Sequence, residues 1–218
     1  MTSGDPMAGN NPHLAQAPVL AGAPLEAARM AAILVHGRDQ DAEVMLDVVG
    51  RLGLDDVAYV LPLAAGHVWY PGRYFDPLPD NAPWIAWTLD ALDAAIARAE
   101  ATGIGDERLV LGGFSQGACM LAELVARRPR PWAGVAVLTG TLLGPEGEVT
   151  QPRRVDGLPM FFGSSRHDEW VKLPRVEATA AAFSQAGARV TLETYDDREH
   201  IINDQAVAGL RGLLTNPV

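Results

Sequence analysis

One serine in this chain sits where its hydroxyl can act as a nucleophile. Arg108–Gly112 (RLVLG) reads as a buried strand, Gly113-Phe114-Ser115-Gln116-Gly117 as a sharp turn, and Ser115–Arg127 as a helix with Met120, Leu121, Leu124 and Val125 on its apolar side. A G-x-S-x-G turn between strand and helix lifts the serine Oγ clear of the sheet, at a helix N-terminus whose dipole favours developing negative charge. The flanking glycines are required because a Cβ at either position would run into the neighbouring strand or helix. In a chain with 22 glycines the pattern can also mark a plain strand-to-helix turn, and the strand before it and apolar helix after it argue against that. The chemistry indicated is attack on a carbonyl carbon, that is, acyl transfer.

A serine hydroxyl needs a general base, and in this type of sheet the partners follow in the order Ser, acid, His. Of the five histidines only His167 and His200 come after Ser115. His200 lies on a loop between the strand Arg189–Tyr195 and the last helix, the expected place for the base. Asp168 follows the strand Met160–Gly163 by a short loop and precedes the helix Pro174–Ala186, which suits an acid that orients the imidazole. Glu169 is the fallback; Asp196 and Asp197 are too near His200 in sequence. Acyl transfer also needs two N–H donors for the oxyanion. The backbone N–H of Gln116 supplies one and that of Arg38, in Leu34-Val-His36-Gly37-Arg38-Asp39, supplies the other. The Arg38 side chain has a separate possible use, reaching an anionic group on a substrate.

These residues must be positioned by elements that alternate along the chain. Met30–Val35, Val57–Leu61, Arg108–Gly112, Trp132–Leu138, Met160–Gly163 and Arg189–Tyr195 read as strands. Asp41–Leu52, Trp84–Ala101, Ser115–Arg127, Pro174–Ala186 and Ile201–Leu214 read as helices. Strands alternating with long helices require crossovers, which predicts an α/β fold with a mainly parallel sheet covered on both faces. Runs such as AAILV and VAVL lack the alternation of a half-exposed strand, as that burial demands. Residues 1–17, rich in Gly, Pro, Asn and Ser, are expected to form a flexible arm, and 18–218 a single domain.

Composition narrows the function classes. A net charge of -10 without a Lys/Arg cluster opposes binding to nucleic acid. Cys119 is the only cysteine, so no internal disulfide and no cysteine-based zinc site can form, and it is expected to be buried filler. No run of about 18 apolar residues suggests a membrane span, and the N-terminal residues do not read as a signal peptide. No cofactor or metal is expected. A cytoplasmic enzyme acting on a small-molecule ester is the expectation, as monomer or homodimer.

With GFSQG, Asp168, His200 and LVHGR in view, the sequence from about Ala31 to Leu214 resembles the phospholipase/carboxylesterase family of small α/β-hydrolases. That group includes bacterial carboxylesterases and acyl-protein thioesterases. The resemblance implies an α/β-hydrolase fold and hydrolysis of carboxylic esters through an acyl-enzyme. Thioesterase or lysophospholipase activity with the same residues is the alternative, and a catalytically dead binding protein on the same scaffold is a third reading. Two positions depart from the family pattern: Asp39 and Glu199 stand where glycine is common. Gly140–Leu158 is too short and too rich in turn residues for a sizeable cap, so an open site preferring short to medium acyl chains is expected. Trp69, Tyr70, Tyr74 and Phe75, in the loop-like stretch Ala64–Pro83, are expected to wall it.

Overall fold

In the computed structural model, which describes residues 11–215, a seven-stranded sheet carries the chain. The strands are β1 (Val19–Gly22), β2 (Met30–Val35), β3 (Val57–Leu61), β4 (Leu109–Phe114), β5 (Gly134–Leu138), β6 (Pro159–Ser165) and β7 (Arg189–Tyr195), in the spatial order β1-β3-β2-β4-β5-β6-β7. All neighbours pair in parallel except β1, which runs antiparallel along β3. Every residue of β2, β3, β4 and β5 is buried, which explains their unbroken apolar runs.

The helices α1 (Ala42–Leu52), α2 (Trp84–Glu100), α3 (Gln116–Arg127), α4 (Leu173–Gln185) and α5 (Asp204–Thr215) divide between the two faces. Met45, Val48 and Leu52 of α1 share one core with Val207, Leu210 and Leu214 of α5. Leu89 and Leu92 of α2, Leu121 and Leu124 of α3, and Val176 and Phe183 of α4 fill the other. The split follows from strand order. From β2 the chain crosses to β3 on one side, then returns to β4 on the other, and right-handed crossovers in opposite directions lie on opposite faces. The direction therefore reverses between β2 and β4. In open α/β sheets ligands bind beyond the strand C-termini at this reversal. Arg38 follows β2 and Ser115 follows β4 there.

Structure and expectation differ at three places. Strand β1 went unread because four residues between Pro18 and Pro24 carry no periodicity; its order comes from pairing with β3. Helix α5 begins at Asp204, after a loop through Ile201. Most of the arm expected over 1–17 lies outside the described residues; within the described part Asn11 and His13 are buried, whereas Leu14, Ala15, Gln16 and Ala17 are exposed. Asn11 Nδ2 donates to the Trp87 carbonyl at 2.8 Å. The buried His13 ring accepts the Ala65 N–H through Nδ1 at 3.0 Å and donates from Nε2 to the Trp69 carbonyl at 3.3 Å. The interval Gly140–Leu158 contains no helix, and its Leu142 and Leu143 are buried against the core, so it forms no cap.

Candidate active site

Ser115 joins β4 to α3 with φ 53° and ψ −119°, a backbone conformation that non-glycine residues rarely hold. The strain is kept in place from both sides. Its N–H donates to the Leu138 carbonyl at the end of β5, and its carbonyl accepts the Cys119 N–H, both at 2.9 Å. A Cβ on Gly117 would fall on the carbonyl oxygens of Val35 and His36, and one on Gly113 would lie 2.9 Å from the α3 backbone. The elbow thus presses α3 directly against the end of β2, and only glycine permits that approach.

His200 reaches the serine from the loop after β7. Ser115 Oγ lies 2.8 Å from His200 Nε2, and His200 Nδ1 lies 2.6 Å from Asp168 Oδ2. The carboxylate fixes the proton on Nδ1 and leaves Nε2 to accept from the hydroxyl. Asp168 sits in the loop after β6, where its other oxygen accepts the N–H groups of Trp170 (2.9 Å) and Val171 (2.8 Å). Burial raises the Asp168 pKa, but the hydrogen bonds from His200, Val171 and Trp170 outweigh it and hold the carboxyl below its ordinary value. The Phe114 ring lies 4.7 Å from the imidazole and backs it. The alternative acids have other settings: Glu169 is exposed, Asp196 pairs with Arg166 at 2.6 Å, and Asp197 accepts from Asn203 at 2.7 Å. His167 is exposed.

The loop after β2 is held as firmly. The buried His36 ring accepts the Ala64 N–H at 3.2 Å through Nε2 and donates from Nδ1 to the Gly37 carbonyl at 2.7 Å. Asp39 adopts a left-handed conformation (φ 56°) with its N–H on the His67 carbonyl at 2.9 Å. Aspartate tolerates that region better than most non-glycine residues, so the turn forms here without a glycine. Glu199 has no positive φ and needs no glycine. Among the described residues, neither the Arg38 nor the Gln116 backbone N–H has an acceptor, and both residues line the cavity that holds Ser115 and His200.

That cavity measures about 540 Å³. Tyr70, Tyr74 and Phe75 line it, with Tyr70 buried and Phe75 45% exposed. Trp69 does not line it. Its side chain is fully buried beneath the wall, where the indole N–H donates to the His36 carbonyl at 2.8 Å and the ring packs on His36 at 5.0 Å. A buried indole needs an acceptor, and the end of β2 offers one. Trp69 thus braces the loop that carries Arg38. The sequence reading also missed two contributions. The Gln116 side chain clamps the wall, accepting the Trp69 N–H at 2.8 Å and donating to the Tyr70 carbonyl at 2.7 Å. Trp170, 63% exposed, also lines the cavity. Its place two residues after Asp168 was the available signal.

Fold and site geometry together define an ester hydrolase of the α/β-hydrolase type. The model of the phospholipase/carboxylesterase family matches residues 21–215, and the chain belongs to that family. A phospholipase/carboxylesterase structure from Dyadobacter fermentans superposes with a TM-score of 0.83 at 28% identity, covering 92% of this chain and 96% of that one. A carboxylesterase from Mesorhizobium loti shares the fold, with a TM-score of 0.71 at 20% identity over 93% of this chain and all (100%) of that one. Acyl-protein thioesterase 1 of Cryptococcus neoformans is 27% identical over 164 residues, 66% of this chain and 68% of that protein. Among the described residues no helix is long and apolar enough to cross a membrane.

Proposed function

We propose that this protein is a serine carboxylesterase in which Ser115 is the nucleophile, His200 the general base and Asp168 the acid that orients it. Ser115 Oγ attacks the ester carbonyl as its proton passes to His200 Nε2. The oxyanion accepts the backbone N–H groups of Arg38 and Gln116. The imidazolium, stabilised by Asp168, then protonates the departing alcohol and leaves an acyl-serine. Water attacks that ester with His200 again as base, releasing the acid and restoring the hydroxyl. The observation that carries this reading is the unbroken hydrogen-bond chain Asp168–His200–Ser115, at 2.6 and 2.8 Å, at the reversal point of the sheet.

The cavity's modest size and the absence of a helix in Gly140–Leu158 favour short to medium acyl chains. Thioester hydrolysis is the second reading, favoured by the likeness to acyl-protein thioesterase 1. A cytoplasmic location is part of the same proposal, supported by a lone buried cysteine that requires no oxidising compartment. Turnover of 4-nitrophenyl esters of graded length, alongside a palmitoyl thioester, tests the assignment. Acetyl to octanoyl esters should turn over fastest, and Ser115→Ala should eliminate all of it. Turnover in that variant would remove Ser115 from the role, and a palmitoyl thioester as the best substrate would replace esterase with thioesterase.

A further inference from the structure

Arg38 is half-buried in the cavity wall, and its charge has no carboxylate to meet it among the described residues. Its Nη2 donates to two neutral acceptors, the carbonyls of Tyr70 (2.9 Å) and Gly72. The N–H groups on Nε and Nη1 remain unspent among the described residues. Arg29, Arg127, Arg130 and Arg166 are each paired with an Asp or Glu, whereas Arg108, Arg175 and Arg211 donate only to backbone carbonyls, as Arg38 does, but do not line this cavity. A second cation, Arg73, lines the same wall, and its side chain makes no ion pair or hydrogen bond among the described residues.

The acidic groups near this wall form no ion pair with either guanidinium. Asp76 turns its carboxylate to the Arg73 backbone N–H at 2.6 Å. Asp168 is committed to His200, and Glu169 is exposed and does not line the cavity. Asp39 lines it but bonds to neither guanidinium. Two guanidinium groups thus line the cavity without a carboxylate bonded to either, in a protein of net charge -10.

We propose that this wall is a carboxylate subsite, and that the enzyme prefers esters bearing a free carboxylate in addition to the ester bond it cuts. The inference rests on the esterase reading above. A guanidinium presents its N–H groups as a fork that matches a carboxylate, and charge-assisted bonds of this kind are about twice as strong as neutral ones. Tyr70 and Gly72 hold the Arg38 fork in place, so little ordering remains to be done when a ligand binds. Because the backbone of Arg38 faces the proposed oxyanion position, the second carboxylate belongs within a few atoms of the scissile carbonyl.

Two matched substrate pairs test this. Monomethyl glutarate against methyl pentanoate places the extra carboxylate on the acyl side, and 4-acetoxybenzoate against 4-methylphenyl acetate places it on the alcohol side. The readout is the ratio of kcat/KM for the charged over the neutral member, each divided by its rate with hydroxide, so that changes in overall activity cancel. In the wild-type enzyme at low salt one ratio should be roughly tenfold or more above one. It should fall as salt is raised and collapse several-fold in Arg73→Gln and Arg38→Met. Ratios at or below one in both pairs, with the neutral esters still turned over, overturn the subsite and leave the esterase reading intact. A ratio above one that neither variant lowers also overturns it. No turnover of any ester sinks the esterase reading itself.

Discussion

The two sides of the cavity are built in opposite ways. On the side proposed to react, the carboxylate and the imidazole are fully committed: both oxygens of Asp168 and both ring nitrogens of His200 have partners between 2.6 and 2.9 Å. Among the other residues that line the cavity, the Arg73 side chain makes no hydrogen bond among the described residues and Phe75 and Trp170 are exposed, while Trp69 and Gln116 hold the backbone from beneath. Bond-making tolerates little positional error, so the groups proposed to react are fixed by complete hydrogen-bonding. The same division separates two histidines at the strand ends. His36 is buried and bonded on both nitrogens to backbone, whereas His200 offers Nε2 to a hydroxyl.

Substitutions on the two sides should therefore differ in kind, and the largest effect is expected on the reacting side. Asp168→Asn should lower kcat by on the order of 10³–10⁴-fold, because the amide no longer fixes the Nδ1 proton or stabilises the imidazolium. A loss under tenfold would mean that another acid orients the base. Next comes Gly117→Ala, whose methyl group meets the carbonyls of Val35 and His36. It should cost about 1–3 kcal/mol in denaturant unfolding and much of the activity, since α3 must back away from β2. Trp69→Phe should cost about 1–3 kcal/mol as well, by leaving the buried His36 carbonyl without its donor, and should lower kcat. Trp170→Ala should change stability by less than about 0.5 kcal/mol and raise KM instead. If Trp69→Phe and Trp170→Ala gave the same pattern, the distinction between brace and wall would fail.

Acid should weaken the reacting side through Asp168. Its folded pKa is lowered, so the folded state favours the anion. The stability this adds is present above the unfolded value of about 3.9 and is lost as pH falls through the lowered folded value. Urea midpoints between pH 6 and 3 should show the gap between wild type and Asp168→Asn narrowing as pH drops. The smallest effect is expected at Cys119. Burial pushes its thiol up to about 11, so at pH 8 a thiol reagent should label it only after unfolding.

The residues proposed to react were the most legible part of the sequence, because each had a type, an order and an element to locate it. A glycine-flanked serine between strand and helix, an aspartate after the next-to-last strand and a histidine after the last one leave few arrangements in a parallel sheet. The wall was less legible. Trp69 and Tyr70 are adjacent aromatics in one loop, yet one lies beneath the wall and the other lines it. No local pattern tells which way a loop residue turns, since long-range bonds such as Trp69 to His36 decide it. Trp170 was overlooked because a lone tryptophan in a loop has no period to read. Strand β1 and the packing of His13 depend wholly on partners far along the chain.

Labelling with a fluorophosphonate, followed by peptide mass analysis, tests the central claim most directly. One phosphonyl group per chain should appear on the peptide containing Ser115, and His200→Ala should slow its formation by several orders of magnitude. Modification of a different residue, or labelling of Ser115 at an undiminished rate without His200, would contradict the account.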